Sequence, residues 1–314
     1  MSGFMTTTVD HLIRSQIWSQ RLKEVFLADL MGMKYVDMLT DFPDGEIINI
    51  PSIGQAEVYN YEEGEPIRYN VFDTGNFQFQ ITDYVASATY ITNKMKQDSF
   101  YTDRIVSSFV PKEARAIAER MELGALSIGN SGQTAGNLNN INGAPHRFVA
   151  SGTGGKITLQ DIAQARYSLQ RANAPMNNLV GIVDPSVEFT FNTQANLVNL
   201  LSPQPQWQSI VNDGISTGMS FKFNIYGFDI YVSNFLPKSV NETINSVSTT
   251  SGVPSYWFST TGDALPFIGA VRQPPKVDSE YRKDFQRDEY VTTARWGFGF
   301  YRPESLVTIL SNVN

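Results

Sequence analysis

The chain has 314 residues, enough for one large domain or two ordinary ones, and at 41% hydrophobic and 18% charged it has the makeup of a globular protein. Its 24 basic and 31 acidic residues leave a formal net charge of −7, which argues against broad attraction to nucleic acid through a basic surface. The absence of cysteine excludes disulfides, zinc-thiolate and iron–sulfur sites, and thiol nucleophiles.

The opening MSGFMTTTVD lacks the basic-then-apolar order of a secretory signal, and no apolar run approaches the roughly 18 residues of a membrane span. A soluble protein made in a cytoplasm is therefore expected. Residues 8 to 33 predict an amphipathic helix, with Val9, Leu12, Ile13, Ile17, Trp18, Leu22, Val25, Phe26 and Leu30 at helical spacing. From 45 to 92 the chain turns strand-like. EIINIPSI and AEVYNY lead to an acidic tip, YEEGEPIRY, and then to NFQFQITDYVASATYIT. In that last run Phe77, Phe79, Ile81, Val85 and Ile91 share one parity, which predicts a single strand of about 50 Å. A hairpin of that length overhangs a compact domain and needs something else to rest on.

Two helical stretches follow, DSFYTDRIVSSFV and PKEARAIAERMELGALSIGN. Val110, Ala114, Ile117, Met121, Ala125 and Ile128 form an apolar stripe along the second, Pro111 suits its first position, and Gly129–Asn130 suit its end. Residues 129 to 155 are rich in Gly and Asn and predict a long loop. Thr158 and Asp161 form a capping box that opens a helix closed before Pro175. NLVGIVDPSVEF predicts a buried strand running into a helix. MSFKFNIYGFDIYVSNFLP predicts two strands broken at Gly227. A polar loop over 238–255 and several strands over 264–312 complete the chain, and no internal repeat is visible.

Candidate chemistry is thin. His11 and His146 are the only histidines, and neither has a nucleophile elbow or a metal-ligand spacing beside it. Asp184, after an apolar strand and before Pro185, is placed as a catalytic carboxylate could be, but it equally suits a helix N-cap, the preferred reading. Glu62, Glu63 and Glu65 lack the spacing of a calcium loop and read as a solvated tip or a contact with basic groups of a neighbour. The sequon at Asn241 carries no weight without a secretory signal. TARWGFGFYRP, residues 293 to 303, fails as a phosphate loop, because Arg302 and Pro303 follow where another glycine or a helix start is required. Read as a strand, it puts Tyr290, Ala294, Trp296, Phe298 and Phe300 on one face. Arg295, Gly297, Gly299 and Tyr301 fall on the other, and the bare glycines invite close approach of a helix or another backbone. The strand is expected to pack near the long helix. No catalytic, cofactor-binding or metal residue stands out.

The order of these parts, with the local texture of GFDIYVSNFLP and GFGFYRPESLVTIL, resembles the major capsid proteins of tailed double-stranded-DNA bacteriophages, whose fold is shared with encapsulins. The resemblance covers nearly the whole chain. It implies an α+β phage major capsid fold: an N-terminal arm (1–44), an extended β-hairpin loop (45–92), a peripheral domain with a long spine helix (93–158 and 266–314) and an axial α/β domain (159–265). It further implies a structural role without catalysis or cofactor. Pentamers and hexamers of the chain would assemble in the host cytoplasm into an icosahedral virion shell, enclosing double-stranded DNA without sequence-specific binding and without a membrane. Expected partners are a separate scaffolding protein, since the arm begins within ten residues of Met1, a portal and optional decoration proteins. The hairpin tip, with Glu62, Glu63, Glu65, Arg68 and Tyr69, is the expected inter-subunit contact. Some members cross-link through a hairpin lysine, but residues 44 to 93 here contain none, so no such isopeptide bond is expected. The alternatives are an encapsulin-like compartment shell or, from a different class, an acidic-residue hydrolase or carbohydrate-binding β protein.

Overall fold

The structure is a computed structural model that describes residues 32–39, 47–53, 59–60, 63–64, 66, 74–98, 102–135, 138–193, 221–238 and 240–312. The helix expected over 8–33 lies outside these, apart from its last two residues, which fall in a short 3-10 turn, Gly32–Tyr35. Beside three two-stranded hairpins, two larger sheets carry the described strands. The first has four strands in the order β1-β14-β15-β4: β1 is Val36–Leu39, β4 Asp83–Thr92, β14 Phe267–Arg282 and β15 Arg287–Phe300. The second has six in the order β7-β16-β13-β8-β10-β9: β7 is Arg147–Val149, β8 Leu179–Val183, β9 Phe221–Ile225, β10 Phe228–Val232, β13 Gly252–Ser259 and β16 Leu306–Asn312.

The six-stranded sheet is covered on both faces. Its centre, LVGIV in β8, is buried at all five residues, as an unalternating apolar run requires. One face packs on helices α3 (Leu159–Arg171) and α4 (Pro185–Thr193) through Ile162, Ala165, Leu169, Val187 and Phe191 against Trp257, Val307 and Ile309. The other packs Ile182, Tyr256, Phe258 and Leu306 against Ala125 and Leu126 of the long helix α2 (Thr102–Ala135). Trp257 lies across Gly181, its register partner on β8, where a Cβ would come within 2.7 Å of the indole ring.

Local chemistry behaves as the sequence predicts at three places. Thr158 accepts from the Asp161 amide while Asp161 accepts from the Thr158 amide at 2.7 Å, a complete capping box. Asp184 accepts from the Ser186 amide at 3.0 Å and from its hydroxyl at 2.7 Å, so it caps α4 with Pro185 in the first helical position. Tyr226 and Gly227, both with positive φ (51° and 84°), form the two-residue turn between β9 and β10.

Four expectations are corrected. The strand predicted as one run through NFQFQITDYVASATYIT is two: β3 (Thr74–Gln80) pairs with β2 (Ile47–Ile53), and β4 pairs with β15. The break falls at Ile81 and Thr82, where the chain changes sheets; parity continues across it because Ile81 is itself buried. The two predicted helices are one of 34 residues that runs through Pro111 and past Gly129. Gly129 is there for proximity rather than termination, because a Cβ on it would stand 2.9 Å from the Tyr256 ring. The Gly/Asn segment contains a small hairpin, β5 (Asn140–Ile141) with β6 (Ala144–Pro145), and then β7. Likewise the polar loop holds a short hairpin, β11 (Thr243–Ile244) with β12 (Val247–Ser248), before β13 begins at Gly252. The strands of the tail divide between the sheets: β14 and β15 join the four-stranded sheet, while β16 pairs with β13 and β7 in the six-stranded one.

Candidate functional site

The segment 293–303 is the hub of the molecule. It forms the inner end of β15 and the turn after it. Ala294 and Trp296 are fully buried against Ile117 and Met121 of α2. Where the helix meets the larger aromatics it loses its side chains: a Cβ on Gly124 would touch Phe298 at 3.4 Å, and one on Gly132 would overlap the Phe300 Cβ at 2.6 Å. The opposite face of β15 carries Gly297 and Gly299. A Cβ on Gly297 would lie 2.8 Å from the Gln80 carbonyl and the Ile81 Cα, and one on Gly299 would lie 3.2 Å from the Phe79 Cβ. The glycine stripe admits the end of β3, and the aromatic stripe seats α2.

That crossing anchors the hairpin β2–β3. Phe79, Ile81, Ile268 and Ala270 are buried together, with Leu39, Ile48, Ile50, Phe77 and Tyr301 packed around them. Phe77 and Tyr301 meet edge to face at 5.2 Å, a favoured aromatic geometry. The register runs from Ile47↔Gln80 at the root to Ile53↔Thr74 outward, and the chain beyond it reaches a turn at Glu63–Gly64, where Gly64 has φ +102°. Glu63 is exposed in that turn. Glu62, Glu65, Arg68 and Tyr69, the rest of the expected contact, lie outside the described residues.

A second projecting feature is the ribbon formed by the outer parts of β14, β15 and β4. The pairing continues from Lys276↔Thr293 to Arg282↔Arg287, and β4 follows β15 as the sheet edge from Trp296↔Asp83 to Arg287↔Thr92. Along β4 exposed and partly buried residues alternate, with Tyr84 65% and Tyr90 59% exposed. At the ribbon's end Arg287 stacks on both Tyr90 and Phe285, at 4.6 and 4.7 Å, and binds Glu289 at 2.6 Å. Arg282 also reaches Glu289; from the short helix α1 (Asn93–Asp98), Lys96 pairs with Asp288 and Asn93 donates to the Tyr281 hydroxyl at 2.8 Å. Such exposed pairs are worth about 0–1 kcal/mol each, so they arrange this end rather than stabilise it.

The core groups with displaced pKa values are His146, Tyr256 and Tyr35. Burial holds the His146 imidazole below its ordinary pKa, outweighing the raising effects of the Ala144 and Glu304 backbone and of the Glu304 carboxylate. Its Nδ1 lies 3.1 Å from the Ala144 carbonyl, and the whole side chain is shut off from solvent. Burial also pushes the Tyr256 phenol up. At Tyr35 burial does the same, with Tyr231 and the Asp229 charge adding to it. Among the described residues no three His, Asp or Glu side chains gather where they could hold a metal, and no helix is long and apolar enough to cross a membrane.

Sequence reasoning missed the ion pair between buried Arg147 and Glu242, which lie 95 residues apart. Nothing local announces such a pair. The helix glycines were within reach, because Gly129 and Gly132 lie three apart on one helical face inside an otherwise helix-forming stretch.

The profile of the phage capsid protein family matches residues 76–309, from within β3 to within β16. No curated protein matches the chain. Among solved structures, it resembles the capsid of the cyanophage P-SCSP1u, with TM-score 0.70, 14% identity, and coverage of 95% of this chain and 93% of that one. It resembles a chain of Mycobacterium phage Che8 with TM-score 0.67, 14% identity, and coverage of 94% and 96%. The capsid of a native GTA particle matches over 100% of both chains at TM-score 0.64 and 9% identity. At these identities the likeness is one of fold, and it runs from end to end. With the profile spanning both sheets, the long helix and the glycine-aromatic strand, the chain belongs to the phage capsid protein family and is a structural shell protein.

Proposed function

We propose that the chain self-assembles as pentamers and hexamers into an icosahedral shell around a double-stranded-DNA phage genome, without sequence-specific contact to that DNA and without catalysis. The observation that carries the reading is the family match over 76–309, together with the exposed turn at Glu63–Gly64 beyond the β2–β3 hairpin and the exposed outer part of the β4–β15–β14 ribbon. A two-stranded hairpin is marginal alone in water and gains stability when a partner buries it. Contacts repeated around rotation axes provide such partners, and obligate ones commonly bury about 2,000 Å² or more.

The hairpin tip, with Glu62, Glu63, Glu65, Arg68 and Tyr69, is on this reading the contact laid on an adjacent subunit, its carboxylates facing basic groups there. A net charge of −7 suits a container wall, because a strongly basic lining would grip DNA and oppose filling and release. Assembly in the host cytoplasm with a separate scaffolding protein, a portal and optional decoration proteins belongs to the same proposal.

Negative-stain microscopy of the expressed full chain, alone and with its phage's scaffolding protein, tests it. Closed particles tens of nanometres across are expected in at least one arm. A persistent monomer or small ring in both arms contradicts it.

A further inference from the structure

A closed polar seam lies where the last turns of α2 meet one edge of the six-stranded sheet. Arg147, Thr308 and Tyr256 are register neighbours across β7, β16 and β13, so their side chains stand in one row on the face toward α2. All three are fully buried. Arg147 binds Glu242 through Nη2 only, leaving its Nε and Nη1 without a protein partner. The Tyr256 phenol lies close to that guanidinium and to the Asn130 backbone, yet neither its hydroxyl nor that of Thr308 makes a hydrogen bond to protein.

The helix side of the seam supplies acceptors. Gly129, next to Asn130, sits against the Tyr256 ring. Gln133, one turn on and fully buried, donates through Nε2 to the Leu306 carbonyl at 3.2 Å and the His146 carbonyl at 3.4 Å, and so reaches over the same strands. Asn130 Oδ1 and Gln133 Oε1 are both buried without a protein partner. The sheet thus carries unpartnered hydroxyl and guanidinium groups and the adjoining helix turns carry unpartnered acceptors, none satisfied by the other.

Buried polar groups are nearly always hydrogen-bonded, and orphans concentrated in one place point to a ligand. Charge decides its nature. Glu242 already neutralises Arg147, so an anion would leave the seam with an uncompensated negative charge. A neutral molecule able both to donate and to accept fits every partner. From this geometry we infer that the seam is a binding site for ordered water. Six orphan atoms at about three hydrogen bonds per buried water call for about two molecules. Glu242, just before β11, closes the seam, and the waters join the long helix to the sheet where side chains do not reach.

Two nearly isosteric substitutions test it, because the sign of the effect separates the cases. If water satisfies the hydroxyls, Tyr256→Phe and Thr308→Val each remove a hydrogen bond and lower the Tm of the full chain by about 2 °C or more, compared in the same assembly state. If the hydroxyls are dry and unsatisfied, removing them raises Tm, which overturns the inference. A crystal or cryo-electron microscopy map that resolves solvent should show peaks within hydrogen-bonding distance of Arg147 Nη1 and the Tyr256 hydroxyl. No peak there would overturn it, as would a bromide anomalous peak at that position, which would mark an anion site.

Discussion

The six-stranded sheet and the β4–β15–β14 ribbon are built from similar residues and end in opposite states. In β13 all eight residues are buried, Tyr256, Trp257 and Phe258 among them, because helices cover both faces. In β4, Tyr84 and Tyr90 stand more than half exposed on a sheet edge. The first region is completed by its own chain, and the second presents aromatic surface and a strand edge that no described strand pairs, the features by which strands recruit partners. A shell subunit needs both: a core that survives alone and projections that become stable only in company. β15 links them, since its inner half is core and its outer half is ribbon.

The comparison can be broken at the core first. Trp296→Ala, at the α2–β15 contact, is expected to cost about 3–5 kcal/mol, seen as loss of soluble subunit or a large fall in Tm before any question of assembly arises. Gly132→Ala sets two effects against each other. Alanine favours an isolated helix by about 1 kcal/mol, but its Cβ would overlap Phe300, and overpacking of that kind costs about 1–3 kcal/mol. Net destabilisation is expected, and a stabilised variant would show that α2 is not seated on β15 as described.

His146 adds a pH dependence to the core. Its folded pKa lies below the ordinary 6.5, so in acid the unfolded chain takes up a proton that the folded one refuses. Stability is intact above about pH 6.5 and falls as the pH drops through it, by up to about 1.4 kcal/mol per unit, until the folded pKa is reached. Denaturant midpoints between pH 7 and 5 should therefore fall less in His146→Gln than in the parent; equal slopes would remove this role.

The smallest effects on subunit stability belong to the projections. Tyr84→Ser and Glu63→Lys should change it by no more than about 0.5 kcal/mol, while lowering the yield of closed particles in a sedimentation assay. A loss of subunit stability on a par with the core variants would erase the distinction between the two regions. With no lysine in 44–93, a denaturing gel should show no covalent multimers traced to the hairpin.

Much of this was legible locally. The capping box at Thr158, the Asp184 cap, the turn at Tyr226–Gly227 and the two faces of TARWGFGFYRP follow from side-chain chemistry and a two-residue period, and the structure keeps them. What failed depended on partners distant in sequence. The period across Phe77–Ile91 carries no mark of the sheet change at Ile81, because both halves need that parity. Gly129 looks like a helix end until Tyr256 is brought beneath it. β16 and β7, and the pair Arg147–Glu242, meet only through the fold. The expected contact at the hairpin tip is legible as composition alone. Of its five residues the structure describes Glu63, exposed and in a turn.

The central claim, that the core is finished within one chain and the projections between chains, is tested most directly by amide hydrogen exchange on assembled and unassembled forms of the full protein. Protection should be equal in β8 and β13 and should rise on assembly in β2–β3 and β4. Equal protection of β2–β3 and β4 in both forms would contradict the account.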